Sequence, residues 1–258
     1  MAGHSSPIGV FDSGVGGISV MAALRRALPG EDFIFFGDTA HAPYGTKSQA
    51  EVLTLVTRVM ERLLGYGVKA VVIACNTATS AAAAALREAY TLPIIGMEPA
   101  LKPAHALRHG GQILVLATPT TLRLPKFQRL MERYGEGAVP LPCPGLMELV
   151  ERESFDQAGR YLREHFAPYD MARVDAVVLG CTHYTFLRPV LKDLLPPAVS
   201  VLDGNEGTAR QLARVLAEKQ LLKAEGPGSV RLETSGDPAV ALPVMERLLV
   251  RAKALIEE

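Results

Sequence analysis

Short apolar runs alternate with stretches of helical periodicity along most of the chain. Pro7–Phe11 reads as a strand. Gly17–Leu28 reads as a helix, with Ile18, Met21, Leu24 and Leu28 at helical spacing and Pro29-Gly30 as its stop. Phe33–Phe36 is a second strand. Ser48 and Glu51 make a capping box at the head of a helix whose Val52, Leu55, Val56, Val59, Met60 and Leu63 share one face. Val68–Ala74 is apolar and largely β-branched, as expected of a parallel strand covered on both faces. A helix to about Tyr90 and a short strand at Pro93–Gly96 follow.

The same rhythm then restarts. Gln112–Ala117 is a strand and a helix runs to about Tyr134. A brief strand at Ala138–Leu141 leads into short helices. Asp175–Gly180 is a strand, Tyr184–Leu195 a helix, Val199–Leu202 a strand, and a further helix reaches about Leu222. Ser229–Thr234 and a closing helix complete the chain. This alternation predicts an α/β fold with mostly parallel sheets. An internal echo sharpens it. Lys69–Cys75 resembles Asp175–Cys181 at an offset of 106, and the same offset lays Ile8–Asp12 on Leu114–Thr118 and Ile34–Phe36 on Pro140–Pro142. Segments in one register predict a duplicated unit, hence two pseudo-symmetric α/β halves with their strand ends at a shared cleft.

Composition narrows the function classes. Lys+Arg and Asp+Glu each number 27 in 258 residues, so no basic excess points to nucleic acid or an anionic membrane surface. No run of about 18 apolar residues suggests a membrane span. Met1–Pro7 is polar and lacks an apolar core, so it does not read as a signal peptide, and the cytoplasm is the expected compartment. Three widely spaced cysteines, Cys75, Cys143 and Cys181, do not form a disulfide framework.

In open α/β sheets, ligands bind beyond the carboxyl ends of strands. Four unusual polar clusters fall there: Asp12–Gly17, Gly37-Asp38-Thr39 with Pro43-Tyr44-Gly45, Cys75-Asn76-Thr77, and Cys181-Thr182-His183. The first is a glycine-rich turn or a cradle for an anionic group at a helix start. It lacks the order of a dinucleotide fingerprint and the lysine of a P-loop. Asp12 at a strand end has the plain role of a helix N-cap as its alternative. A free cysteine is commonly a small buried hydrophobe, and Cys143 is read so. Cys75 and Cys181, however, stand at equivalent strand ends before a helix, where a thiol pKa is drawn from about 8.5 toward neutrality. A zinc site from Cys75, Cys181 and His183 and a redox pair both lack the usual spacings. A Cys–His hydrolase leaves the second matched cysteine unexplained. Two matched thiols suit inversion of a Cα centre, where one group removes a proton and another delivers one to the opposite face.

The segments Phe11–Gly17, Pro43–Gly45, Ala74–Thr79 and Gly180–Thr185 together resemble the signature segments of bacterial glutamate racemases, in the aspartate/glutamate racemase superfamily. The likeness runs from about Ile8 to Gly207. It implies a cofactor-independent two-base racemase with no metal, interconverting L- and D-glutamate between two α/β domains. The first would span 1–97 completed by 209–258, the second 98–208. By this resemblance Cys75 acts on D-glutamate with help from Asp12, and Cys181 acts on L-glutamate with help from His183 and a glutamate. Glu151 is the candidate, with Glu148 and Glu153 as alternatives. Asp12, Ser13, Pro43, Tyr44, Gly45, Asn76, Thr77, Thr118, Thr121, Thr182 and His183 match substrate-holding positions. The implied setting is D-glutamate supply for peptidoglycan by a homodimer. The chain departs from the family pattern at His41, where an arginine is usual, and over Gly145–Glu148. No lysine stands out as a Schiff-base site, so pyridoxal phosphate is not indicated.

Overall fold

The computed structural model describes residues 3–257. A first sheet holds five strands in the order β4-β3-β1-β2-β9, with β1 Ile8–Asp12, β2 Phe33–Gly37, β3 Ala70–Ile73, β4 Ile94–Gly96 and β9 Val230–Thr234. A second holds four in the order β6-β5-β7-β8, with β5 Gln112–Ala117, β6 Ala138–Pro142, β7 Val174–Leu179 and β8 Ser200–Asp203. Every pairing is parallel. The helices of the first half are α1 Ile18–Ala27, α2 Gln49–Gly65 and α3 Asn76–Ala89. Then come α4 Leu101–Ala106, α5 Pro119–Arg123, α6 Pro125–Tyr134, α7 Leu146–Glu151, α8 Phe155–Phe166 and α9 Arg188–Leu194. The last are α10 Asn205–Glu218 and α11 Pro238–Glu257. The fold is thus α/β, with two parallel sheets.

The duplication is visible in strand order. Read outward from β2 and from β6, the sheets run β2-β1-β3-β4 and β6-β5-β7-β8. Two crossing bonds repeat as well: Ala74 N–H to the Phe11 carbonyl and Gly180 N–H to the Leu116 carbonyl, both 2.7 Å. The register corrects the sequence alignment by one residue, however. Phe11 pairs with Ile73, and Leu116 with Leu179. With Ile73 on Leu179, a shift of 106, Phe11 falls on Leu116, a shift of 105. One residue is gained between the first and third strands of the second half.

The local chemistry of each element follows its sequence. β1, β2 and β3 are buried along their whole length, as two-sided cover demands. Ser48 caps α2 with the full capping box. Two helices differ from the periodicity. The stretch to Tyr134 is split at Leu124, which is extended (φ −73°, ψ 143°) because a residue before proline is forced out of helix. The stretch from Tyr184 begins as a tight 3₁₀ turn, Thr182–Leu187, and becomes α-helical only at Arg188. Among the described residues, no helix is long and apolar enough to cross a membrane.

At the edge of the first sheet remote from the clusters, Lys69 and Glu31 form a buried ion pair at 2.6 Å. Lys69 also donates to the His4 carbonyl at 2.6 Å, and Glu31 accepts the Lys223 N–H at 2.8 Å. Four segments of the chain are thereby joined at one buried site. A buried charge without its partner is strongly destabilising. Lys69→Met is expected to lower unfolding free energy by about 3–5 kcal/mol in urea denaturation, and the double variant with Glu31→Leu to recover most of that loss.

Candidate active site

The carboxyl ends of β1, β3, β5 and β7 bring the polar clusters together. Asp12 closes β1 with both carboxylate oxygens engaged: Oδ1 accepts the Gly14 N–H at 2.7 Å and Oδ2 the Thr182 hydroxyl at 3.1 Å. It is therefore not the N-cap of α1; Gly17 holds that position. The backbone after Asp12 is bare for a steric reason. A Cβ on Gly17 would lie 2.6 Å from the Asp12 Cβ, and one on Gly16 would enter the His183 ring. The Ser19 hydroxyl reaches across to the Thr182 carbonyl at 3.1 Å.

Cys75 caps α3 and accepts the Ala78 N–H at 3.4 Å. The Ser13 hydroxyl, rather than Asp12, touches its sulfur at 3.5 Å. The expected fall in its thiol pKa is not found. Burial, reinforced by the negative charge of Asp12, pushes Cys75 up to about 12, outweighing the Ser13 and Ala78 bonds. The helix-start effect is present but small beside desolvation. Burial likewise raises Asp12, against the opposing pull of His183 and the Gly14 N–H.

On the other side, the Cys181 sulfur lies 3.7 Å from His183 Nδ1, and His183 Nε2 lies 2.9 Å from Glu151 Oε1. Burial works against a charged His183, yet its contacts with Cys181 and Glu151 carry its pKa well above the ordinary 6.5. Glu151 is lowered: burial opposes its charge, but the His183 bond prevails. Of the three glutamates considered, Glu151 is the one bonded to His183; Glu153 pairs with Arg247 at 3.3 Å. Cys143 is buried behind this side.

Three threonines close the remaining wall. Thr77, Thr118 and Thr121 form a triangle of hydroxyl bonds of 2.9 to 3.2 Å. Thr118 also caps α5. The Thr120 hydroxyl donates to the Gly45 carbonyl, a further link between the halves. Among the predicted residues, Ser13, Gly45, Cys75, Asn76, Thr77, Thr118, Cys181, Thr182 and His183 line one enclosed space of about 10 Å³. Asp12, Pro43, Tyr44, Thr121 and Glu151 do not face it directly. Such a volume holds about one water, so any larger ligand requires the halves to part. The Asn76 amide is buried with neither its oxygen nor its nitrogen bonded, although such groups are normally paired. It is ready for a polar ligand. Among the described residues, no group of three or more His, Cys, Asp or Glu is arranged to hold a metal.

Two residues carry no assignment from the sequence. Asp38 is buried and accepts from the Tyr44 hydroxyl at 2.6 Å while its other oxygen lies 2.8 Å from His41 Nδ1. It anchors the loop that carries Gly45. The sequence named it within the Gly37-Asp38-Thr39 cluster, grouped with Pro43-Tyr44-Gly45, but gave it no role of its own. Met147, from α7, also lines the enclosed space, with no polar signal to mark it.

The description Asp/Glu/Hydantoin racemase belongs to the family model that matches residues 8–212. A glutamate racemase of Bifidobacterium adolescentis is 48% identical over 255 residues, covering 96% of this chain and 99% of its own. Among solved structures, glutamate racemase from Thermus thermophilus in complex with beta-chloro-D-alanine is 39% identical with a TM-score of 0.83, covering 95% of this chain and 94% of that one. Glutamate racemase from Francisella tularensis in complex with D-glutamate is 28% identical with a TM-score of 0.81, covering 96% and 94%.

The Glu151–His183 pair has a definite pH signature. A raised His183 pKa adds stability that is complete below its ordinary 6.5 and fades as pH climbs through the raised value. A lowered Glu151 pKa adds stability that is complete above its ordinary 4.5 and fades as pH falls through the lowered value. The stability gap between the parent and Glu151→Gln is therefore expected to peak between pH 4.5 and 6.5 and to narrow on both sides, read from urea midpoints across pH.

Proposed function

The chain belongs to the Asp/Glu/Hydantoin racemase family, and we propose that it racemises glutamate with Cys75 and Cys181 as paired acid and base and without a cofactor. The observation that carries this reading is the pair of thiols at equivalent strand ends, both facing one enclosed space. Inversion at Cα needs a group on each face of the substrate. The two halves, 1–97 with 209–258 and 98–208, act as jaws that supply one thiol each.

The environments suggest the starting state. Cys75 is a thiol at neutral pH, because burial opposes its charge. On the other side His183, held by Glu151, lies 3.7 Å from the Cys181 sulfur and would serve as counter-ion whenever that sulfur carries the charge. With L-glutamate bound, the Cys181 thiolate takes the α-proton and the electron pair stays on the substrate carbon. The Cys75 thiol then gives its proton to the opposite face, leaving D-glutamate, a Cys75 thiolate and a Cys181 thiol. The reverse reaction begins from that second state. Asp12, close enough to raise Cys75 electrostatically, assists on the Cys75 side. The unpaired Asn76 amide, with Ser13, Gly45, Thr77, Thr118 and Thr182, offers donors for the substrate carboxylates, and Thr121 supports them from behind through its bonds to Thr77 and Thr118. Pro43 and Tyr44 shape the loop behind Gly45. Parting the jaws readmits water, which resets the two thiols. In a bacterial cell this activity would supply D-glutamate for peptidoglycan, from a cytoplasmic homodimer.

Incubation with L-glutamate in D₂O, with nothing added, is expected to give D-glutamate and deuterium at Cα, read by NMR and polarimetry. Cys75→Ser and Cys181→Ser should each abolish racemisation. A single variant that keeps most of the parent rate rejects the two-thiol mechanism, and faster turnover of D-aspartate than D-glutamate rejects the substrate.

A further inference from the structure

Met147 apart, the wall of the enclosed space is built from short side chains, an imidazole and glycines: four hydroxyl residues, an amide, two thiols, His183, Gly45 and Gly180, with more apolar than polar surface turned to the space. Met147 is its one large apolar side chain, and it is 8% exposed. Its helix, α7, is short and well held. Gly145 enters it with φ +80°, a left-handed turn that suits glycine. Leu146 and Val150, fully buried, lock its inner face. Glu151 lies four residues after Met147, so one face of α7 presents both Met147 to the cavity and Glu151 to His183. The helix cannot retreat from a ligand without disturbing the His183 bond. The Met147 side chain can, because an unbranched thioether changes shape at low cost.

Resting on the glutamate reading above, the complementary feature is plain. The two ends of such a substrate are charged, and its apolar surface is the pair of methylenes between them. Met147 is the matching apolar surface in the site. We propose that Met147 determines specificity by chain length: it packs against the methylenes of an α-amino dicarboxylate and limits how many can be accommodated. The other wall residues are short side chains, a ring or glycines, so Met147 is the one long, flexible apolar side chain whose size can set this limit.

The test is a series of L-α-amino dicarboxylates of rising length, namely aspartate, glutamate and 2-aminoadipate, with α-hydrogen exchange in D₂O followed by NMR. The parent is expected to favour glutamate; a different favourite rejects the substrate reading, and the variants are then judged against that favourite. Met147→Ala should raise kcat/KM for the acid one methylene longer, relative to the favourite, by about tenfold or more. Met147→Leu, similar in volume, should keep the parent ratio, and Met147→Val should fall between. The pH profile should stay where it is in all three, because Glu151 and His183 are untouched. An unchanged length preference in Met147→Ala and Met147→Val overturns the proposal. So does a changed preference that arrives with a shifted pH profile, since α7 itself has then moved.

Discussion

The Asp12 carboxylate is wholly buried at the tip of β1, and both its oxygens are occupied: one by its own loop at Gly14, the other by Thr182 from the opposite half. Much of the site can be understood as the cost of keeping that group there. A buried carboxylate without donors is strongly unfavourable, so the loop after β1 must bring a backbone N–H to it. The following glycines must be bare to let Asp12 and His183 approach. The Ser19 bond to the Thr182 carbonyl then holds the donor in place. One side chain thus links the geometry of the first glycine-rich turn to that of the Cys181 loop. It also places a negative charge near Cys75.

The parts of this arrangement that depend on continuous apolar runs were legible in the sequence. Strands covered on both faces cannot hide their character, and the chemistry-bearing clusters sit at their ends by the general rule for parallel sheets. The repeat was legible for the same reason. Its register was not, because Ile8–Asp12 and Gln112–Ala117 are both apolar and a slip of one residue leaves both patterns intact. Asp38 was named within a strand-end cluster but given no role, because its partners, His41 and Tyr44, become neighbours only when the loop turns back on β2. Met147 escaped because a methionine in a helix is ordinarily core, and only the shape of the cavity separates it from Leu146.

The thiols show most clearly where a local rule stops. A cysteine at a helix start has a lowered pKa when water can still reach it. Cys75 caps a helix as that rule requires, but the closing of the other half over it removes the water. Desolvation then exceeds what the Ala78 N–H and the Ser13 hydroxyl return. On the Cys181 side a charged pair from two further elements meets the same desolvation and prevails at His183. The contrast is between two neutral donors at Cys75 and a histidine–carboxylate pair beside Cys181, and only the fold could tell them apart.

The two faces of the cavity are therefore chemically unlike: a hydroxyl and a backbone N–H beside Cys75, an imidazole backed by a carboxylate beside Cys181. For a reaction that interconverts mirror images, this inequality has a strict bound. Enantiomers have equal free energies in water, so detailed balance requires the same kcat/KM from either side, whatever surrounds each sulfur. The unequal faces can show only in how each direction divides that ratio between turnover at saturation and affinity. A better-furnished Cys181 cannot make such a protein a one-way catalyst. The direction of flow would be set by whichever process removes one enantiomer.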